Sequence, residues 1–436
     1  MSRIRQLPLF VDPHTVFRGR SVKSVTFKGS FDYPIHRWFR LTPSYSPELV
    51  TDVLAHWNLP DGANVLDPFC GVGTTPLVCQ EKGLPGCAVE LNPLLHFVAK
   101  VKTTPYSNPN DLPTAAQEVL SLAREHLESM QAMDTETFRV EYHAAIPTIR
   151  NATKWWSPPV LKKIVALRLA LATLPLPFDT ADLLNLAVIS ILIEVSNARH
   201  NHPSLSFAKT PREDAPVFER FQEQVAMMKR DLLDFPRSRP ETAILCGNSK
   251  HLEKVLPTGY LCDAVITSPP YPNRYSYARE TRPQMFYLGL VKSGKEVGQL
   301  EVEAIGGTWG KATSILEHDI GYRSPVVKGA LQRIPESIGR HSHLMQNYVI
   351  KYFNDIEEHI ESLAHFLRPG AYLAYVIGNS KFYGTTLPSD EILADIFDAH
   401  GFRTTSIERM RRRNSKSGLY EAIVFMNPPV HSGTLA

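Results

Sequence analysis

The chain has 436 residues, 43% hydrophobic and 21% charged, a globular composition long enough for one large domain with insertions or for two or three smaller ones. A net charge of only +3 excludes a global basic excess, so any nucleic-acid surface has to be a local patch. The five cysteines lack any Cys-x-x-Cys spacing, which argues against a disulfide framework or a zinc site, and the first thirty residues lack the apolar core of a signal peptide; the expectation is a soluble, cytoplasmic protein with reduced thiols and no metal.

In chain order, Ser46 with Pro47 behind it marks a helix start, and Leu49, Val50, Val53, Leu54 and Trp57 give that helix one apolar face. "ANVLDPF" (63–69) reads as a strand ending at a glycine-rich turn, and "GCAVEL" (86–91) as the next strand. Residues from about 101 to 240 are mostly helix-forming; their most apolar stretch, "LLNLAVISILIEV", is too short to span a bilayer and fits a buried helix. "TAILCGN" (242–248) and "DAVITS" (263–268) are two further strands. Residues from about 273 to 345 are rich in Gly, Arg and His without clear periodicity and read as an inserted loop region.

A helix carrying Ile350, Phe353, Ile356, Ile360, Leu363 and Phe366 is expected to stop at Pro369-Gly370, before the strand "AYLAYVIGN" (371–379). Ser389 starts another helix that Gly401 ends, and "FRTTSIERM" (402–410) and "YEAIVFM" (420–426) form an antiparallel hairpin at one edge. Near-continuous apolar strands alternating with helices predict an α/β fold: a doubly wound, mostly parallel, Rossmann-like seven-stranded sheet with an antiparallel edge hairpin and a helical insertion. Its expected parts are residues 1–100, an N-terminal segment and the cofactor-binding start; 101–240, a helical insertion for target recognition; and 241–436, the catalytic half with the inserted region 273–345.

Two motifs carry chemistry. In "VLDPFCGVGTT" (65–75), Gly71 and Gly73 let backbone come close to a ligand where a Cβ would block it. Glu90 lies about 20 residues on, at the end of the next strand, where a carboxylate accepts from ribose hydroxyls. The pattern is neither Gly-x-G-x-x-Gly nor a triphosphate loop, so a nucleoside without pyrophosphate, such as an adenosyl compound, fits better. The second motif is Ser268-Pro269-Pro270-Tyr271, at the carboxyl end of its strand. The prolines lock φ and add carbonyls without N–H donors, Ser268 adds a hydroxyl acceptor and Tyr271 a flat face, together a pocket for a planar group bearing an NH2. A second Ser-Pro-Pro, in "WWSPPV" (155–160), has no strand before it and no aromatic after it, and reads as a helix start.

With these two motifs together the chain resembles the S-adenosylmethionine-dependent amino-methyltransferases of bacterial DNA, particularly the cytosine-N4 branch of restriction–modification systems. The resemblance covers both motifs and the strand order around them, not the helical insertion. It implies S-adenosylmethionine as cofactor, double-stranded DNA as substrate and a cognate restriction endonuclease as partner. By the resemblance, Asp67, Pro68, Phe69, Gly71, Gly73 and Thr74 line the methionine and adenosine region, Glu90 takes the ribose, Tyr45 borders the methionine moiety, and Asn248 stands where the family often has Asp beside the adenine amine. Ser268 Oγ and the Pro269 carbonyl would accept from N4 of a flipped cytosine, with Tyr271 stacked on the ring. No Pro-Cys pair is present, which argues against methylation at cytosine C5. Adenine-N6 methylation, RNA guanine-N2 methylation and a non-catalytic DNA-binding role stay open as alternatives. Of the remaining signals, "PNRYSYARETR" (272–282) is expected to brace the extruded base, and "RMRRRNSKSG" (409–418) is a basic turn suited to phosphates. His200 and His202 have no partners at metal spacing.

Overall fold

The computed structural model describes residues 25–201, 204–236, 238–308, 310–413 and 417–429, and the earliest residues, His202 and part of the basic turn lie outside them. Seven strands form one sheet: β1 (Val65–Asp67), β2 (Gly86–Glu90), β3 (Thr242–Cys246), β4 (Cys262–Thr267), β5 (Leu367–Gly378), β6 (Arg403–Arg412) and β7 (Tyr420–Asn427). Their spatial order is β6-β7-β5-β4-β1-β2-β3, with every pairing parallel except those of β7, which runs antiparallel to both neighbours. This is the doubly wound sheet with an antiparallel β6–β7 hairpin that the strand pattern predicts. The chain builds outward from β1 to β3, then returns to lay β4 against the other side of β1. The carboxyl ends of β1 and β4 therefore meet at the topological switch point, where open α/β sheets bind ligands.

The apolar runs are continuous because both sheet faces are covered. Leu66, Val265, Leu373 and Tyr375 pack in one buried cluster with Phe353, Ile356 and Ile360 of the long helix His343–Ala364. Their neighbours Val65, Ala264, Ile266 and Ala374 pack in another with Leu49, Val50 and Val53 of the helix α1 (Pro47–Trp57). Ser46 caps α1, its hydroxyl accepting from Glu48 N at 3.2 Å. The second Ser-Pro-Pro opens the helix Pro158–Thr173, with Pro158 in its first turn.

Three local expectations need correction. The region 273–345 is no loop: it holds helices at Tyr277–Leu288, Gly294–Glu303, Lys311–Leu316, Pro325–Leu331 and Ile334–Gly339. These are too short to show a period, although Ser276, Ser293 and Ser324 cap three of them. Next, the long helix ends at Ala364, and Pro369 and Gly370 lie inside β5. There the register jumps between the pairs Cys262↔Leu367 and Ala264↔Tyr372, an irregularity that tolerates proline. Finally, the helical insertion contains a two-stranded hairpin, Ala198–Asn201 with Ser204–Phe207.

The largest hydrophobic cluster crosses all the expected parts. It joins Trp38 and Leu41 from the N-terminal segment, Val119, Trp156, Leu184 and Phe221 from the helical insertion, and Met285, Tyr287 and Val297 from the second insertion. No helix among the described residues is long and apolar enough to cross a membrane.

Candidate functional site

The site begins where β1 and β4 end side by side, with Val65 opposite Ala264 and Leu66 opposite Val265. Asp67 closes β1 and is 1% exposed. Its Oδ1 accepts from Thr267 Oγ1 at 2.6 Å and from Phe69 N at 3.1 Å, and its Oδ2 from Tyr45 Oη at 2.9 Å. Burial lifts the Asp67 pKa to about 6 against the pull of these donors. Asp67 thus ties β1, β4 and the segment before α1 into one rigid corner. Tyr45 is a buried strut to that corner and does not reach the cavity; Leu41 and Pro43 of the same segment do.

Beyond Asp67 the backbone turns through left-handed conformations at Gly71 (φ +54°) and Gly73 (φ +81°). A Cβ on Gly73 would come within 3.1 Å of Ala99, so this glycine seats the turn against the helix Pro93–Thr103. Lys102 of that helix is buried and donates to the Val72 carbonyl at 3.1 Å, holding the turn from below. Glu90, at the tip of β2, accepts from Gly71 N at 2.7 Å and from Asn92 N at 2.8 Å. Burial raises its pKa to about 7 although both N–H groups favour the charge.

At the tip of β4, Ser268 Oγ donates its proton to the Val376 carbonyl at 2.9 Å. With the hydroxyl hydrogen committed, the oxygen faces anything else as an acceptor. Tyr352 donates to the Pro270 carbonyl at 2.7 Å, and Tyr348 accepts from Arg274 N at 3.2 Å, so the helix His343–Ala364 braces the proline turn. The Tyr271 ring lies over Gly378, where an added Cβ would approach its Cδ2 to 2.8 Å, and the Arg413 guanidinium stands 5.9 Å from the ring centre. Gly378 thus makes room for Tyr271, while Gly247, at the end of β3, packs on Val255.

Two cavities open at this corner. The first, about 820 Å³, is lined by Pro68, Phe69, Gly71, Glu90, Leu91, Asn248, Ser268, Pro270, Tyr277 and Glu301 among others. The second, about 1110 Å³, is lined by Ser268, Tyr271, Asn273, Arg411, Arg413 and Glu421 together with the segment around Phe27 and Lys28. Pro43, Ser268, Tyr275 and Tyr277 belong to both, so the two cavities share one wall.

Of the sequence-nominated residues, Pro68, Phe69, Gly71, Glu90, Asn248, Ser268 and Pro270 line the first cavity and Tyr271 the second. Asp67, Gly73, Thr74 and Tyr45 lie behind the first cavity's wall, and Pro269 is buried outside both linings. Asn248 spends its side chain locally, accepting from Lys250 N at 3.0 Å and donating to the Glu303 carbonyl at 3.2 Å. Leu300, Glu301, Ala304 and Ile305, a wall of this cavity supplied by the second insertion, lie outside both sequence motifs. Only the Ser293 cap in sequence marks the helix that carries Leu300 and Glu301. The basic turn is partly neutralised: Arg409 pairs with Asp390 and Glu391, and Arg411 with Glu421.

The first cavity suits an adenosyl compound, with a carboxylate at the tip of β2, flat apolar surface at Phe69, Leu91 and Ile305, and exposed backbone at the glycine turn. Phe69 is held against His359, ring centres 4.7 Å apart; His359 bonds the Ser249 carbonyl and Tyr375 Oη, and burial keeps it neutral with a pKa near 4.

No family model matches the chain. It is 22% identical over 445 residues to the Type II methyltransferase M.BsoBI of Geobacillus stearothermophilus, covering 91% of this chain and 84% of that protein. It is 22% identical over 448 residues to M.AvaI of Nostoc sp. (91% and 85%) and over 416 residues to M.MvaI of Kocuria varians (87% and 86%), both also Type II methyltransferases. Among solved structures, TrmN from Thermus thermophilus (10% identical, 92% of this chain and 52% of that one) and the rRNA methyltransferase aviRa from Streptomyces viridochromogenes (12%, 88% and 86%) superpose with TM-scores of 0.30, too low to argue from. Over nearly its full length the chain is thus similar to Type II methyltransferases, and its two cavities open at the switch point of the sheet.

Proposed function

We propose that the protein methylates the exocyclic N4 amine of cytosine in double-stranded DNA, at a base flipped into the second cavity. S-adenosylmethionine supplies an electrophilic methyl group. The side chains of this protein bind, orient and dehydrate the reacting pair. Glu90 is the proposed acceptor for ribose hydroxyls, and Phe69, Leu91 and Ile305 the proposed walls for the adenine. Ser268 Oγ, already donating to Val376, accepts one N4 hydrogen. The proposed second acceptor is a carbonyl of the proline turn: that of Pro269 has no protein donor among the described residues, and that of Pro270, which lines the first cavity, keeps a lone pair beyond its bond from Tyr352. Two acceptors on the amine turn its lone pair out of conjugation and toward the shared wall, so that orientation replaces an activated nucleophile. Tyr271 stacks on the base.

The observation that carries this reading is the common wall: one serine fixed as an acceptor borders both the cavity at the glycine turn and an aromatic one. DNA as the substrate follows the Type II relatives and a groove in the insertions. Arg150, Lys154 and Arg282 line that groove with Trp155 and Phe207, and no carboxylate is among its lining residues. The helix Tyr277–Leu288 leads from the shared wall to the groove, and at 1.5 Å per residue Arg282 lies about 8 Å from Tyr277 and Phe286 about 14 Å. At 3.4 Å per step of one strand, that is about two to four base pairs from the flipped base. On this reading the insertion 101–240 and its hairpin contact the target.

The deciding experiment incubates duplex DNA with labelled S-adenosylmethionine and identifies the modified nucleoside by mass. N4-methylcytosine is expected. N6-methyladenine, or label entering tRNA and not DNA, would overturn the proposal.

A further inference from the structure

The second cavity holds a charged pair that the transfer reaction does not use. Arg411 Nε donates to Glu421 Oε2 at 2.6 Å and Arg411 Nη2 to Glu421 Oε1 at 3.0 Å, a two-pronged pair with both side chains largely buried. Both residues line the same cavity as Ser268 and Tyr271. The fork fixes the guanidinium plane and leaves Nη1 as its unengaged nitrogen among the described residues.

The sheet sets the separation between this pair and Ser268. Ser268 follows β4 directly and bonds Val376 of β5; Glu421 of β7 lies opposite Gly378 of β5, and Arg411 of β6 lies opposite Glu421. Two interstrand steps of about 4.8 Å across the sheet and two residues of about 3.3 Å along it put the Glu421 backbone about 12 Å from Ser268. That leaves room for one pyrimidine ring whose amino–oxo edge runs from Ser268 toward the Arg411 side chain. The neighbouring Arg413 is already committed, donating to the Asn379 carbonyl at 3.1 Å and lying over Tyr271.

We infer that Arg411, held by Glu421, reads the O2 edge of the flipped base and is the residue that selects cytosine over adenine. The inference rests on the base-flipping reading above. When the amine is held at Ser268, cytosine presents the O2 carbonyl two ring positions along the same edge, whereas adenine presents its C2–H there. A buried guanidinium N–H is satisfied by the first and left unpaired by the second. A site built to hydrogen-bond a substrate group discriminates strongly against the analogue that lacks it.

The test compares a normal duplex with one whose target cytosine is replaced by the C-nucleoside of 2-aminopyridine joined through C5, which keeps the amine and the adjacent ring nitrogen and lacks the 2-oxo group. Wild-type protein is expected to lose about ten- to hundredfold in kcat/KM on the analogue, the range for a hydrogen bond to a charged group. Arg411→Met is expected to lose a similar factor on cytosine and to treat cytosine and analogue alike, with S-adenosylmethionine affinity unchanged by calorimetry. Equal activity of the wild type on both duplexes would overturn the inference, and it needs no variant to fold. An Arg411→Met enzyme that still discriminates would overturn it as well. If the wild type makes no N4-methylcytosine on the normal duplex, it is the transfer reading that fails.

Discussion

At the scale of single residues, the site separates binding from chemistry. Tyr271 lines only the second cavity, and Glu90 only the first. Tyr271→Ala should therefore remove base stacking, costing about 1–3 kcal/mol of transition-state stabilisation, while S-adenosylmethionine binds as before. Single-turnover rates and cofactor calorimetry measure the two separately, and equal losses in both would count against the assignment. Glu90 predicts a pH dependence. Its pKa of about 7 means the folded protein holds this proton more tightly than the unfolded chain does. The stability contributed by the protonated form is full below the ordinary carboxylate range and is lost as pH rises toward 7. Hydroxyl donors on a bound ribose favour the ionised form. Cofactor affinity should accordingly weaken below about pH 7, approaching tenfold per unit, and Glu90→Gln should bind more weakly with a flat profile. Calorimetry between pH 5.5 and 8.5 checks both.

At the scale of elements, what placed the strand tips was periodicity and punctuation. "ANVLDPF" and "DAVITS" are apolar on both faces because Leu66 and Val265 pack one way and Val65 and Ala264 the other, and glycine or proline then ends each strand. That much was legible. The wall from Leu300 to Ile305 was not, because a helix of ten residues whose outer side is Lys, Glu and Gln shows too little period to be read. Nor could sequence separate residues that touch the cavity from those that hold its frame: Tyr45 and Asp67 are both nominated for the cofactor region yet act through each other. Gly378 shows the same blindness, since its purpose is set by a ring more than a hundred positions earlier. Gly378→Ala places a Cβ 2.8 Å from the Tyr271 ring. The ring must move, and a displacement near 1 Å at a reacting geometry costs up to about a hundredfold. The expected result is a fall in turnover with cofactor affinity and melting temperature close to wild type. An unchanged rate would mean that Tyr271 does not position the base.

At the scale of the molecule, the insertions and the sheet domain form one body. Asp231, on the last helix of the helical insertion, is fully buried. It accepts from Ile35 N at 2.9 Å, from Trp38 Nε1 at 2.9 Å and from the Arg37 guanidinium. Those three residues begin the segment that continues to Leu41 and Pro43 in the cavity wall. Asp231→Ala leaves two buried N–H groups and a guanidinium without their acceptor. Breaking a buried charged network in this way costs about 3–5 kcal/mol. Because Trp38 and Leu41 share a hydrophobic cluster with both insertions, the loss should appear as a single unfolding transition shifted to lower temperature. The same variant should bind S-adenosylmethionine more weakly, although Asp231 touches neither cavity, since the wall formed by Leu41 and Pro43 loses its anchor. Two resolved transitions in calorimetry, with only one moved by the substitution, would show instead that the insertion folds apart from the sheet and that its groove can be shaped without disturbing the site.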